Sequence, residues 1–189
     1  VMTGGGLRVI DCKSGARKFD PTLVYWGLQL QLLLYLAAAL SRVPGSHAAG
    51  FFYCRIADPT VKTESRIREE VEKQIAKKLS LQGISLSDVA ILRAQGGSVA
   101  SMVTKDGKPN GRYAASMVDE AGMEKLLDFA KRKAAELAGE IYRGEMDDSP
   151  VERGAFNACQ NCEYSAICAF DPMRKPRRRL TAKKLDDLL

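Results

Sequence analysis

Several features are scarce in this 189-residue sequence, and each absence removes a class of protein. The most apolar stretch, Leu28 to Leu40, is interrupted by Gln29 and Gln31 and falls short of the ~20 apolar residues that cross a bilayer, so no membrane partner is expected. The opening residues Val1-Met2-Thr3-Gly4-Gly5-Gly6 carry neither a basic n-region nor an apolar h-region, so no secretory signal is read and a cytoplasmic protein is expected. The 16 Gly and 7 Pro follow no period, which excludes a fibre, and no internal repeat is present. There is one histidine, His47; no Asp or Glu occurs between Val1 and Ile10, and no cysteine before Cys12.

The chain is 46% apolar and 28% charged, enough apolar material for one sizeable core and too much for a disordered chain. Its net charge of +6 is unevenly spread. Met173 to Leu189 holds seven bases and two acids, which leaves the preceding residues nearly neutral. This divides the chain into a single body, residues 1–172, and a basic C-terminal tail, residues 173–189. Such a run reads as a solvated tail, with direct phosphate contact as the sharper alternative.

Leu7 to Cys12 is β-rich, follows a glycine turn and ends at Ser14-Gly15, which predicts the second arm of a hairpin in a chain that begins mid-structure. Asp20-Pro21-Thr22 reads as a capped helix start, and one helix is expected to run to about Ser41, before Pro44-Gly45. A second strand is expected from Gly50 to Ile56, ended by Asp58-Pro59. Lys62 to Leu79 reads as a charged surface helix, Asp88 to Arg93 as a short strand, and Gly96 to Tyr113 as a loop or loose hairpin. Met123, Leu126, Leu127, Ala130, Ala134, Leu137 and Ile141 repeat at helical spacing and predict a long amphipathic helix over Asp119 to Arg143, ended by Gly144.

Three constellations carry chemistry. Asp11 and Lys13 lie two apart on a strand and so share a face, with Ile10 and Cys12 on the other, where Cys12 is expected to face the core. A carboxylate able to hold Mg²⁺ beside an amine able to orient water suits phosphodiester hydrolysis; an ordinary surface pair is the plain alternative. The following helix is apolar on every side, so it should be buried all round. Within it Gln31 and Tyr35 are four apart on one face, and leaving such groups buried and unpaired would cost about 1–3 kcal/mol each, so they should meet polar partners. Cys159, Cys162 and Cys168, in a Cys-x-x-Cys-x5-Cys pattern, read as metal ligands before disulfides. Both structural zinc and a 4Fe–4S cluster take four ligands, so one is wanting; His47, in the loop after the helix, is a conceivable fourth for zinc.

Asp-x-Lys at a strand end, followed by a helix bearing Gln-x-x-x-Tyr, resembles the PD-(D/E)XK nucleases of the RecB type. Gly27 to Leu36, Gly50 to Pro59 and Cys159 to Pro172 resemble their AddB branch in particular. The resemblance implies an α/β, restriction-endonuclease-like core, a central mixed sheet flanked by helices, with a C-terminal cysteine motif. It implies Asp11 as the Mg²⁺ ligand, with Lys13, Gln31 and Tyr35 completing the catalytic set. It also implies a 4Fe–4S cluster on Cys159, Cys162 and Cys168 whose fourth ligand, like a further acidic residue, lies upstream of Val1. On that reading residues 1–189 are the C-terminal part of a helicase–nuclease subunit that cuts DNA during double-strand break processing and recombinational repair, with an AddA-like helicase–nuclease subunit as partner. Alone, they would be weakly active or inactive and would lack a stable cluster. The alternatives are an iron–sulfur exonuclease of the CRISPR-associated Cas4 type, and a catalytically silent module that binds DNA and carries the cluster.

Overall fold

The computed structural model describes residues 2–3, 6–56, 59–61, 67–145, 147–154 and 156–189. Five strands form the main sheet: β1 (Met2–Thr3), β2 (Gly6–Lys13), β3 (His47–Arg55), β4 (Gln82–Leu86) and β5 (Met117–Val118), adjacent in that order. β2 and β3 run parallel, as do β4 and β5, while β1–β2 and β3–β4 are antiparallel, so the sheet is mixed. The alternation of a strand places Phe51 and Phe52 on opposite faces, and both are fully buried. Phe51 joins the larger core, with Leu32, Leu33 and Leu36 from one helix and Leu126, Leu127 and Ala130 from another. Phe52 joins the smaller core, with Leu92, Val99 and Met102.

The single helix expected from Asp20 to about Ser41 is two, α1 (Pro21–Tyr25) and α2 (Gln31–Arg42). Asp20 caps α1 through the amides of Thr22 and Leu23. The break falls at Gly27, whose φ of +79° is open to glycine, and where a Cβ would stand 2.6 Å from Leu137 Cδ1. Buried Gln29 then reaches back across the break, accepting from the Asp20 amide at 2.8 Å and donating to the Lys18 carbonyl at 2.9 Å. Nor is the helix buried all round: Leu28 and Tyr35 are half exposed, and Gln31 is exposed. The run of leucines conceals an outer face because helix packing needs only one stripe.

Other expectations shift in position or type. β3 begins at His47, so the histidine lies in the sheet rather than in a loop. The charged helix is α3 (Arg68–Lys78); residues 62–66 of its expected span, and Asp58 of the expected strand stop, lie outside the described residues. Asp88 to Arg93 is not a strand. Asp88 accepts from the Ile91 amide and caps α4 (Val89–Gln95), so its carboxylate settles the type of a short apolar run that fits either element. The third central strand is β4, just upstream. The glycine-rich segment holds α5 (Gly97–Ala100), an antiparallel bridge between Val103 and Pro109, and a 3₁₀ turn at Gly111–Ser116. The long amphipathic helix is α6 (Glu120–Tyr142), capped by Asp119 and followed by Gly144 at φ +72°.

A small second sheet, with β6 (Val151–Arg153) between β7 (Phe156–Asn157) and β8 (Arg178–Arg179), gathers the C-terminal segment. Residues 173–189 are not a solvated tail. β8 pairs with β6, Thr22 exchanges hydrogen bonds with the backbone of Lys183, Trp26 Nε1 donates to the Thr181 carbonyl, and Leu188 is buried in the larger core. Apolar anchors between the charges account for the docking: a run counted by its cations hides Leu185 and Leu188.

Candidate active site

β2 presents Asp11 and Lys13 on one face, as spacing of two on a strand requires, with their side chains 16% and 33% exposed. Lys13 Nζ lies 2.9 Å from Asp11 Oδ2. That oxygen is buried and among the described residues makes no directed hydrogen bond, so the lysine meets it as a charge contact. Gln31, first residue of α2, accepts from Lys13 Nζ at 3.2 Å, and its amide donates to the Tyr35 hydroxyl at 2.9 Å. The four side chains form one chain, carboxylate to ammonium to amide to phenol, at the mouth of the crossover between two parallel strands. Gln31 and Tyr35 find polar partners at the rim, in water, rather than in the interior.

The β2–β3 register adds a residue that sequence reasoning missed. Tyr53 stands directly beside Asp11 and is buried. Burial pushes its phenol above the usual range, the Asp11 charge pushes it further, and Arg17 and a hydrogen bond with Gln29 act the other way. Alternation along Gly50–Ile56 puts Tyr53 on a definite face, but only the pairing of the two strands puts that face beside Asp11. On the opposite face the same register sets Cys12 against Cys54. Cys12 is exposed there rather than core-facing, because the strand end runs past the core, and Cys54 is half-buried, its thiol pushed above the usual range by burial first and then by the neighbouring Cys12.

The cysteine motif lies elsewhere, in successive turns after β7. The Cys159 amide donates to Asn157 Oδ1 at 3.1 Å, and a helical turn closes from the Cys168 amide to the Tyr164 carbonyl at 2.9 Å. All five cysteines are free thiols, and among the described residues no three His, Cys, Asp or Glu side chains gather as a set able to hold a metal ion. His47 sits in β3, near Asp88, Asp119 and Glu120 and not beside the motif. Among the described residues no helix is long and apolar enough to cross a membrane.

What the strand and helix present is an acid with an incompletely satisfied oxygen, a cation held against it, and an amide and a phenol that orient the cation. Proteins with the same stretch of chain are known. The chain is 36% identical over 180 residues to the B subunit of the ATP-dependent helicase/deoxyribonuclease of Alkaliphilus metalliredigens, an alignment covering 89% of this chain and 16% of that protein. Subunits of the same name match from Moorella thermoacetica, 36% identical with 88% of this chain and 15% of the relative covered, and from Desulforudis audaxviator, 36% identical with 97% and 17% covered. The chain thus spans about a sixth of the length of these relatives. The sequence profile of the PD-(D/E)XK nuclease superfamily matches residues 1–169, through the carboxylate-bearing strand and both helices that follow it, and the chain belongs to that superfamily.

Proposed function

We propose that Asp11, Lys13, Gln31 and Tyr35 form the catalytic site of a deoxyribonuclease that hydrolyses DNA phosphodiester bonds with Mg²⁺ during double-strand break processing and recombinational repair. The observation that carries this reading is the continuous contact from Asp11 through Lys13 and Gln31 to Tyr35. Nucleases of this superfamily typically use a divalent metal. Asp11 fits as a ligand: its carboxylate is a hard oxygen donor on an accessible strand end, and the only contact given for its Oδ2 among the described residues is the ion pair with Lys13. Bound there, Mg²⁺ would supply positive charge to the phosphate as the attacking oxygen arrives. Lys13, as an ammonium, orients the attacking water and sets positive charge beside the phosphate while the water's proton leaves to solvent, Gln31 fixes the ammonium by accepting from it, and Tyr35 fixes the amide of Gln31.

The relatives' names describe an ATP-dependent helicase and deoxyribonuclease subunit. We extend to this chain the reading that it is the nuclease part of such a subunit, acting on DNA in the cytoplasm beside an AddA-like partner, with residues 1–172 as the nuclease unit and 173–189 as its basic terminus. A 4Fe–4S cluster on Cys159, Cys162 and Cys168 belongs to this proposal only with a fourth ligand from outside residues 1–189. The three thiols are not gathered into a cluster site, so no step runs through it.

The test is cleavage of linear DNA with Mg²⁺ by a longer subunit containing this chain, unaltered beside Asp11→Asn and Lys13→Gln, with circular dichroism to confirm folding. Each substitution should lower the rate by at least ~10²-fold, and EDTA should abolish it. Full cleavage by either folded variant refutes the assignment. DNA binding with no cleavage by the unaltered protein refutes it too, in favour of the silent module.

A further inference from the structure

Beside Asp11 and Lys13, where β3 ends, a cleft of about 370 Å³ opens between the Ala16–Lys18 loop and the end of α3. Arg17 and Lys18 stand on one wall, Lys77 and Lys78 on the other, with Lys78 also donating to the Thr60 carbonyl, and Arg55 rises from the floor; among the described residues lining it none is a carboxylate. Arg55 is the register partner of Lys13 on the neighbouring parallel strand, so its side chain leaves the same face one strand away. Its Nε is buried and has no hydrogen-bond partner among the described residues. Lys77 and Lys78 lie in the last turn of α3, where cations complement the helix dipole, but that does not account for Arg17, Lys18 or Arg55 converging on the same space. Five cations drawn together without a lining anion repel one another unless an anion joins them.

We infer that this cleft binds the sugar–phosphate backbone of a single nucleic-acid strand, holding the phosphates next to the one presented to Asp11 and Lys13. The inference rests on the nuclease reading for which phosphate is cut, and adds how the strand is held. Cations on both walls grip one backbone from two sides, as in the electrostatic funnels of single-strand binders, whereas a duplex offers a convex surface that meets such a cleft only at its rim.

The experiment measures binding of fluorescent oligo-dT, and separately of a blunt duplex, to the chain in EDTA across a salt series. Lys77→Gln/Lys78→Gln is compared with Lys73→Gln, which removes charge from the same helix at a residue paired with Glu69 and outside the cleft. The double variant should bind oligo-dT severalfold more weakly at low salt. The slope of log K against log salt should become shallower by about 0.7 for each phosphate that the cleft no longer neutralises, with duplex binding little changed and Lys73→Gln close to the unaltered chain. An unchanged slope, an equal effect of Lys73→Gln, no binding by the unaltered chain, or an equal weakening on the duplex overturns the inference. Cleavage with an unmoved slope would leave the nuclease reading standing without the cleft. A cleft-dependent slope in a longer subunit that does not cut would do the reverse.

Discussion

Asp11, Lys13, Gln31 and Tyr35 meet, whereas Cys159, Cys162 and Cys168, no farther apart along the chain, do not gather into a metal-holding set. The difference lies in what carries each group. A spacing of two on a strand and four on a helix fixes which way side chains point, and the parallel pairing of β2 with β3 leaves α2 lying over the strand it follows. The cysteines sit in turns, where spacing states that thiols could converge and the backbone does not oblige them to. A ligand set on turns is completed by the metal itself, because binding free energy is then folding free energy.

The sharpest way to break this contrast is to disturb the element that orients the helix. Gly27 interrupts the helical run so that α2 starts at Gln31, over Lys13, and a side chain there faces both a left-handed backbone and Leu137 at 2.6 Å. Gly27→Ala should cost about 2 kcal/mol or more, read as a lower urea midpoint with unchanged slope. Unaltered stability would show that the break is not what seats the helix. Gln31→Leu should leave stability nearly unchanged, since the side chain is exposed, yet lower cleavage by about tenfold by freeing Lys13. Tyr35→Phe, one link farther out, should do less. Equal loss from both would place the phenol on the substrate instead of behind Gln31.

How much of this was legible in the sequence follows the same division. The Asp-x-Lys strand, the helical spacing of Gln31 and Tyr35 and the long helix α6 are local patterns, and each is present within a few residues of its expected bounds. Features that depend on pairing or packing were not legible. Tyr53 and Arg55 reach the site only through the β2–β3 register, Gln29 bridges the helix break from a position that reads as an interruption, and the short apolar run of α4 fits a strand as well as a helix until the Asp88 cap fixes it. The C-terminal segment misled through its charge. Lys175 pairs with Asp147 and Asp148, Arg177 and Arg179 face Glu152, and Lys183 lies over the Tyr25 ring, so these cations are matched by acids or a ring within the fold, whereas none of the described residues lining the cleft beside Arg55 is a carboxylate.

The smallest expected effect tests the other half of the contrast. If the cysteine segment is held by its neighbours and not by sulfur, then Cys159→Ser/Cys162→Ser/Cys168→Ser in this chain should shift stability by no more than about 0.5 kcal/mol, because the thiols are free and exposed or half-buried. What remains to hold the segment is the pairing of β8 with β6, the Arg178 amide bonded to the Pro150 carbonyl at 3.0 Å, and the ion pairs of Lys175. Those pairs depress the Asp147 carboxyl below its usual range, chiefly through the Lys175 hydrogen bond, and raise Lys175. Their contribution is therefore complete at neutral pH and fades as pH falls through the lowered Asp147 value, in the unaltered chain and the triple variant alike. Thermal melts of the two proteins from neutral to acidic pH should run parallel. A gap between them that a chelator closes would mean that the thiols hold a metal after all, and that turns, like strands, can gather ligands here.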